Sequence, residues 1–78
     1  MSKEEIKKYL EKLIDKTKEE LVGAKVQEWI YAQEYANPKH MGKEKAMESL
    51  SIYQKRSKYL EEFITIYEQY AKDHEIKL

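Results

Sequence analysis

The sequence predicts an all-α fold: an antiparallel hairpin of two long helices, residues 3–36 and 43–75, joined by a turn over residues 37–42, in one domain spanning 1–78. Three observations predict it. The run from Lys43 to His74 holds neither Pro nor Gly, and within it Ala46, Leu50, Tyr53, Ser57, Leu60, Ile64, Tyr67 and Ala71 recur at alternating steps of four and three. That 3.5-residue period belongs to a helix packed lengthwise along another. Only Asn37-Pro38-Lys39-His40-Met41-Gly42 carries clear turn chemistry. The chain is 38% charged and 41% hydrophobic, with nine aromatics, which suits solvated helix faces around an apolar seam rather than a disordered tail.

Ser2 opens the first helix. With Glu5 three residues on, it forms a capping box, in which the Ser side chain accepts the Glu5 N–H and Glu5 reaches back. Ile6, Tyr9, Leu10, Leu13 and Ile14 follow at helical spacing, and Glu4 and Lys8 form an outward i,i+4 pair. Asp15 to Glu20 is a polar interruption. Thr17 and Glu20 repeat the capping-box pattern, so the first helix is either broken near Thr17 or, with no Pro or Gly present, continuous.

Beyond the interruption, residues 21–36 show two apolar stripes. One is Val22, Val26, Trp29 and Ala36, edged by Ile30; the other is Leu21, Ala24, Tyr31, Ala32 and Tyr35. A helix in a two-helix hairpin needs only one. Gly23 costs about 1 kcal/mol of helix propensity against Ala and is read as a point of close backbone approach. At the turn, Asn37 is biased out of the helical region by the following proline, Pro38 ends the ladder, and Gly42 permits an unusual backbone angle.

Folding the chain there pairs Trp29 with Leu50, Val26 with Tyr53, Leu13 with Tyr67 and Leu10 with Tyr70, and brings Gly23 near Ser57. The second helix keeps a spare stripe of Ile52, Tyr59, Phe63, Ile66 and Tyr70. A 78-residue chain without Cys cannot use disulfides or cysteine–zinc sites to offset its small core. Dimerisation of two hairpins into a four-helix bundle is the expected remedy. Charge on the second helix is segregated, formally +3 over residues 43–58 and −3 over 59–78, so an antiparallel copy sets plus against minus.

Other functions leave little trace. Lys plus Arg and Asp plus Glu are 15 each, unlike a strongly basic nucleic-acid binder. The one basic-aromatic patch, Lys55, Arg56, Lys58 and Tyr59, is a thin footprint. The mixed-sign polar face argues against a membrane-surface helix, and the longest apolar run, Trp29-Ile30-Tyr31-Ala32, is too short to cross a bilayer. No secretory h-region is visible, so a cytoplasmic location is expected. His40 and His74 make no ligand pair at helical spacing, and neither metal nor other cofactor is expected. No serine lies in a nucleophile elbow, and two isolated glycines make no phosphate loop.

One segment, Ser57-Lys58-Tyr59-Leu60-Glu61-Glu62-Phe63-Ile64 with Tyr67 after it, resembles the Ser-x-x-Leu-Asp-x-x-Ile signature of small two-helix aspartyl-phosphate phosphatases that act on bacterial sporulation response regulators. Glu61 stands where that family has its functional Asp, and the helices here are longer. The resemblance implies Glu61 as the functional position and a receiver domain as partner.

The leading expectation is a small helical protein-binding module, an adaptor, inhibitor or regulator without catalysis of its own. Its candidate partner-binding or self-interface residues are Trp29, Tyr31, Tyr35, Ile52, Tyr59, Phe63, Ile66 and Tyr70. Tyr and Trp are enriched at interfaces because they bury large area at low entropic cost.

Overall fold

A computed structural model of residues Met1–Leu78 shows two antiparallel α-helices, α1 (Lys3–Ala36) and α2 (Lys43–Asp73), and no strand. The hairpin is a rod of 53 × 16 × 15 Å.

Capping sets its ends. Ser2 Oγ accepts the Glu5 N–H at 3.2 Å and donates its hydroxyl to Glu5 Oε1 at 3.1 Å, so the box closes side chain to side chain. α1 then runs unbroken through Asp15–Glu20. Thr17 explains why: it is only 7% exposed, and its hydroxyl donates to the Leu13 carbonyl at 2.7 Å. A hydroxyl satisfied on the preceding turn can lie in a seam at little cost, so Thr17 is a core residue rather than a cap.

Over residues 21–36 the face that α1 turns to α2 is the reverse of the expected one, whereas nearer the amino terminus Leu10 lies inward as expected. The inward residues are Leu10, Ile14, Thr17, Leu21, Ala24, Glu28, Tyr31 and Tyr35, spaced by alternating fours and threes like their partners on α2. Val22, Val26 and Trp29 point to solvent, with Trp29 65% exposed. Continuing their stripe toward the amino terminus meets Lys8, Lys12, Asp15 and Glu19. Packing that face on α2 would bury four charges without partners, a far larger penalty than leaving three apolar side chains wet. The expected pairings in this half shift accordingly: Tyr53 meets Tyr31, not Val26, with ring centroids 5.6 Å apart.

On α2 all eight seam positions are buried or half-buried, as expected. Close approach is provided by Ala24, Ala46, Ser57 and Ala71, all nearly inaccessible. Gly23 plays no part in it, since a Cβ added there would touch nothing within 4 Å.

The turn is built on Glu34. Its carboxylate accepts the N–H groups of Lys39 (2.8 and 3.0 Å) and His40 (2.9 and 3.1 Å), folding the chain back over the end of α1. Gly42 caps α2 with φ +87°, a region that favours glycine.

α2 ends at Asp73, two residues before the expected boundary. Glu75 adopts φ +55°, the Glu75 N–H donates to the Lys72 carbonyl (3.2 Å), and the Ile76 N–H donates to the Ala71 carbonyl (2.8 Å). This is a Schellman closure with Glu where Gly is usual. It folds Ile76 onto Leu10 and Ala71, with Ile6 and Tyr67 against them.

Candidate interaction surfaces

With the seam filled, two apolar faces remain outside it. The first lies along one flank of α2. Ile52, Tyr59, Phe63, Ile66 and Tyr70 occupy the positions one residue before the seam residues Tyr53, Leu60, Ile64, Tyr67 and Ala71, and all five are exposed. A one-residue step along a helix turns the side chain by about 100°, so this flank stands beside the seam without entering it. Local stacking orders part of it: Phe63 lies 6.3 Å from Tyr67 by ring centroids, and Tyr70 lies 3.9 Å from His74, whose Nδ1 is 2.8 Å from the Tyr70 carbonyl oxygen. Toward the chain termini the flank deepens into a groove of about 650 Å³, with Met1, Ile6 and Tyr9 of the amino-terminal segment facing Ile66, Tyr67 and Tyr70.

The opposite flank of α2, one residue after each seam position, reads Met47, Ser51, Gln54, Lys58, Glu61, Thr65, Glu68 and Lys72. Apart from Met47 at its start, this flank is polar, so the surplus apolar surface of α2 is concentrated on the other side.

The second face is the back of α1. Val22, Val26 and Trp29, with Ile30 at the edge, project away from α2 and are covered by no other part of the chain. Tyr31 and Tyr35, the remaining candidate residues, belong to neither face. Tyr31 stacks on Tyr53, and the Lys43 ammonium sits 5.0 Å from the Tyr35 ring centroid. Both are half-buried inside the hairpin.

The polar groups hold structure. Ser57 donates its hydroxyl to Glu28 Oε2 at 2.6 Å across the seam. Lys25 bridges Glu28 (3.5 Å) and Glu61 (3.4 Å), and hydrogen bonding to Glu61 raises its pKa above the ordinary lysine value. Glu61, the position singled out by the phosphatase resemblance, thus sits in a surface ion pair on the polar flank. The Glu34 carboxyl is held below its ordinary value chiefly by the Lys39 N–H, with the His40 N–H adding to it against partial burial. Arg56 reaches Glu20 at 3.8 Å, and Glu61 and Glu62 stand beside Lys58, so acidic groups interleave the one basic patch. No three His, Asp or Glu side chains converge as metal ligands, and no helix is long and apolar enough to cross a membrane.

No protein-family model, curated protein or solved structure matches the chain. The functional reading therefore rests on its own surfaces.

Proposed function

We propose that the chain is a helical protein-binding module, an adaptor, inhibitor or regulator, that acts by laying its exposed aromatic helix faces against other protein surfaces and performs no chemistry itself. One observation carries this reading. Trp29, flanked by Val22 and Val26, stands on the back of α1 where the hairpin cannot cover it. An outward Trp among aliphatic neighbours on a rigid helix is the side-chain type that most often anchors an interface. The hairpin supplies the rigidity, so little entropy is lost on docking. The phosphatase-like alternative draws no support from Glu61, whose carboxylate is taken up by Lys25.

The test compares the parent chain with a Val26→Glu/Trp29→Ala double variant. Both positions are solvent-facing, so circular dichroism should show unchanged helicity. A genuine partner should bind the variant about tenfold or more weakly, the loss expected for removal of a central aromatic anchor. Equal affinity of every captured protein for the two chains would sink the proposal.

A further inference from the structure

The apolar flank of α2 calls for an occupant, and the charges around it specify one. We infer that a second copy of this chain covers it, with α2 lying antiparallel on α2 about a two-fold axis at Tyr59. This rests on the protein-binding reading and assigns one of the two exposed faces to self-association.

Two independent observations carry it. The first is charge. Around a two-fold axis at Tyr59, Ile52 faces Ile66 of the second copy, Arg56 faces Glu62, and Lys45 faces Asp73. Phe63 faces Lys55, whose aliphatic stem can lie along the ring. This register sets no like charges directly opposite one another. A parallel arrangement in register would set Lys45 on Lys45 and Asp73 on Asp73. The +3 and −3 halves of α2 are thus complementary only head to tail.

The second is area. The hairpin exposes 6234 Å², against about 5,000 Å² for an ordinary folded monomer of its 9.4 kDa mass. The surplus of about 1,200 Å² exceeds the roughly 800 Å² that each partner gives to a standard stable interface. The flank runs most of the length of α2, so helix-on-helix burial along it can remove much of that surplus. Tyr59, 61% exposed and at the centre, would be the most deeply covered side chain.

Sedimentation equilibrium of the parent chain at micromolar concentration should give twice the 9.4 kDa chain mass. The chain has no cysteine, so an introduced thiol is the sole one present. Mild oxidation should link Tyr59→Cys to itself. It should also link Ile52→Cys to Ile66→Cys when the two variants are mixed, though neither links alone. Val26→Cys, on the back of α1, should stay unlinked. Lys45→Glu should weaken the dimer by about two- to fivefold for each of its two symmetric pairs, and adding Asp73→Lys should restore it. A single-chain mass at high micromolar concentration overturns the inference, and so does a dimer that links through Val26→Cys in place of Tyr59→Cys. A single-chain mass leaves capture at Trp29 untouched, whereas linkage through Val26→Cys would place the Trp29 face itself in the self-interface, so failure here is distinguishable from failure of the protein-binding reading.

Discussion

The two halves of the hairpin are held together by different physics. Toward the termini, the buried side chains are mostly large and aliphatic: Leu10, Ile14, Leu60 and Ile76, with Thr17 and Ala71 between them. Toward the turn, the buried side chains are Ala24, Ala46, Ser57 and Glu34, and no large aliphatic residue is fully covered. There the helices are joined by the Glu28–Ser57 hydrogen bond, the Tyr31–Tyr53 stack and the Glu34 turn cap. Apolar burial is strong and undemanding of geometry, whereas a carboxylate bonded to one hydroxyl tolerates only one alignment. The terminal half supplies most of the stability, and the turn half fixes how the helices register.

The largest test of that division is Leu10→Ala. It removes a nearly buried leucine from the Leu10–Ala71–Ile76 cluster and should cost about 2–5 kcal/mol, much of what a chain of this size can have. Urea unfolding followed by circular dichroism measures it. Ser57→Ala, in the turn half, should cost only about 0.5–1.5 kcal/mol, because Glu28 keeps Lys25 and some solvent contact when the hydroxyl is lost. If Ser57→Ala proved as damaging as Leu10→Ala, the proposed division would fail.

Acid should act on the turn half first. The Glu34 carboxyl is depressed below its ordinary value of 4.5, chiefly by the Lys39 N–H. A depressed carboxyl contributes stability that is complete above its unfolded value and is lost as pH falls through its lower folded value. Amide exchange at Lys39 and His40 should therefore accelerate as pH falls below 4.5, relative to exchange at Leu10 and Ile14. In Glu34→Gln these two amides should be less protected at neutral pH, and their relative protection should no longer depend on acid. An unchanged acid response in the variant would assign the effect to some other carboxylate.

The same contrast decides what the sequence could show. The α2 seam was readable because seven of its eight members, from Ala46 to Ala71, are apolar and the exception, Ser57, is small. The α1 seam runs through Thr17 and Glu28, two polar residues that hydropathy places outside a core. Both are satisfied by partners that only the fold supplies or selects, the Leu13 carbonyl for Thr17 and the Ser57 hydroxyl with Lys25 for Glu28. The signal that would have found it was phase: the steps from Leu10 and Ile14 carry through to Leu21, Ala24 and Tyr31, whereas the Val22–Trp29 stripe has only charges upstream. That phase also turns Tyr31 and Tyr35 inward and leaves Trp29 outside. Ile76 was missed because its closure uses Glu75 at a left-handed position, without the glycine that usually marks one. The Tyr59–Phe63 flank was legible, since it lies out of phase with a seam that was itself clear.

The smallest effect sharpens the comparison where the halves meet. Gly23 sits in the middle of α1, exposed, with nothing within 4 Å of the space a Cβ would fill. It therefore lowers helix stability without providing close approach. Gly23→Ala should raise stability by about 0.5–1 kcal/mol, by limiting the unfolded chain and favouring the helix. Gly42→Ala should do the reverse, because φ +87° strains any residue with a Cβ even in open space. Thermal unfolding of the two variants measures both signs. Because α1, like α2, runs unbroken from the aliphatic half into the polar half, stiffening it at Gly23 should also narrow the gap in amide protection between Leu10 and Tyr31. A gap unchanged by Gly23→Ala would mean that the halves open as one unit and that their different chemistry does not make them separate in stability.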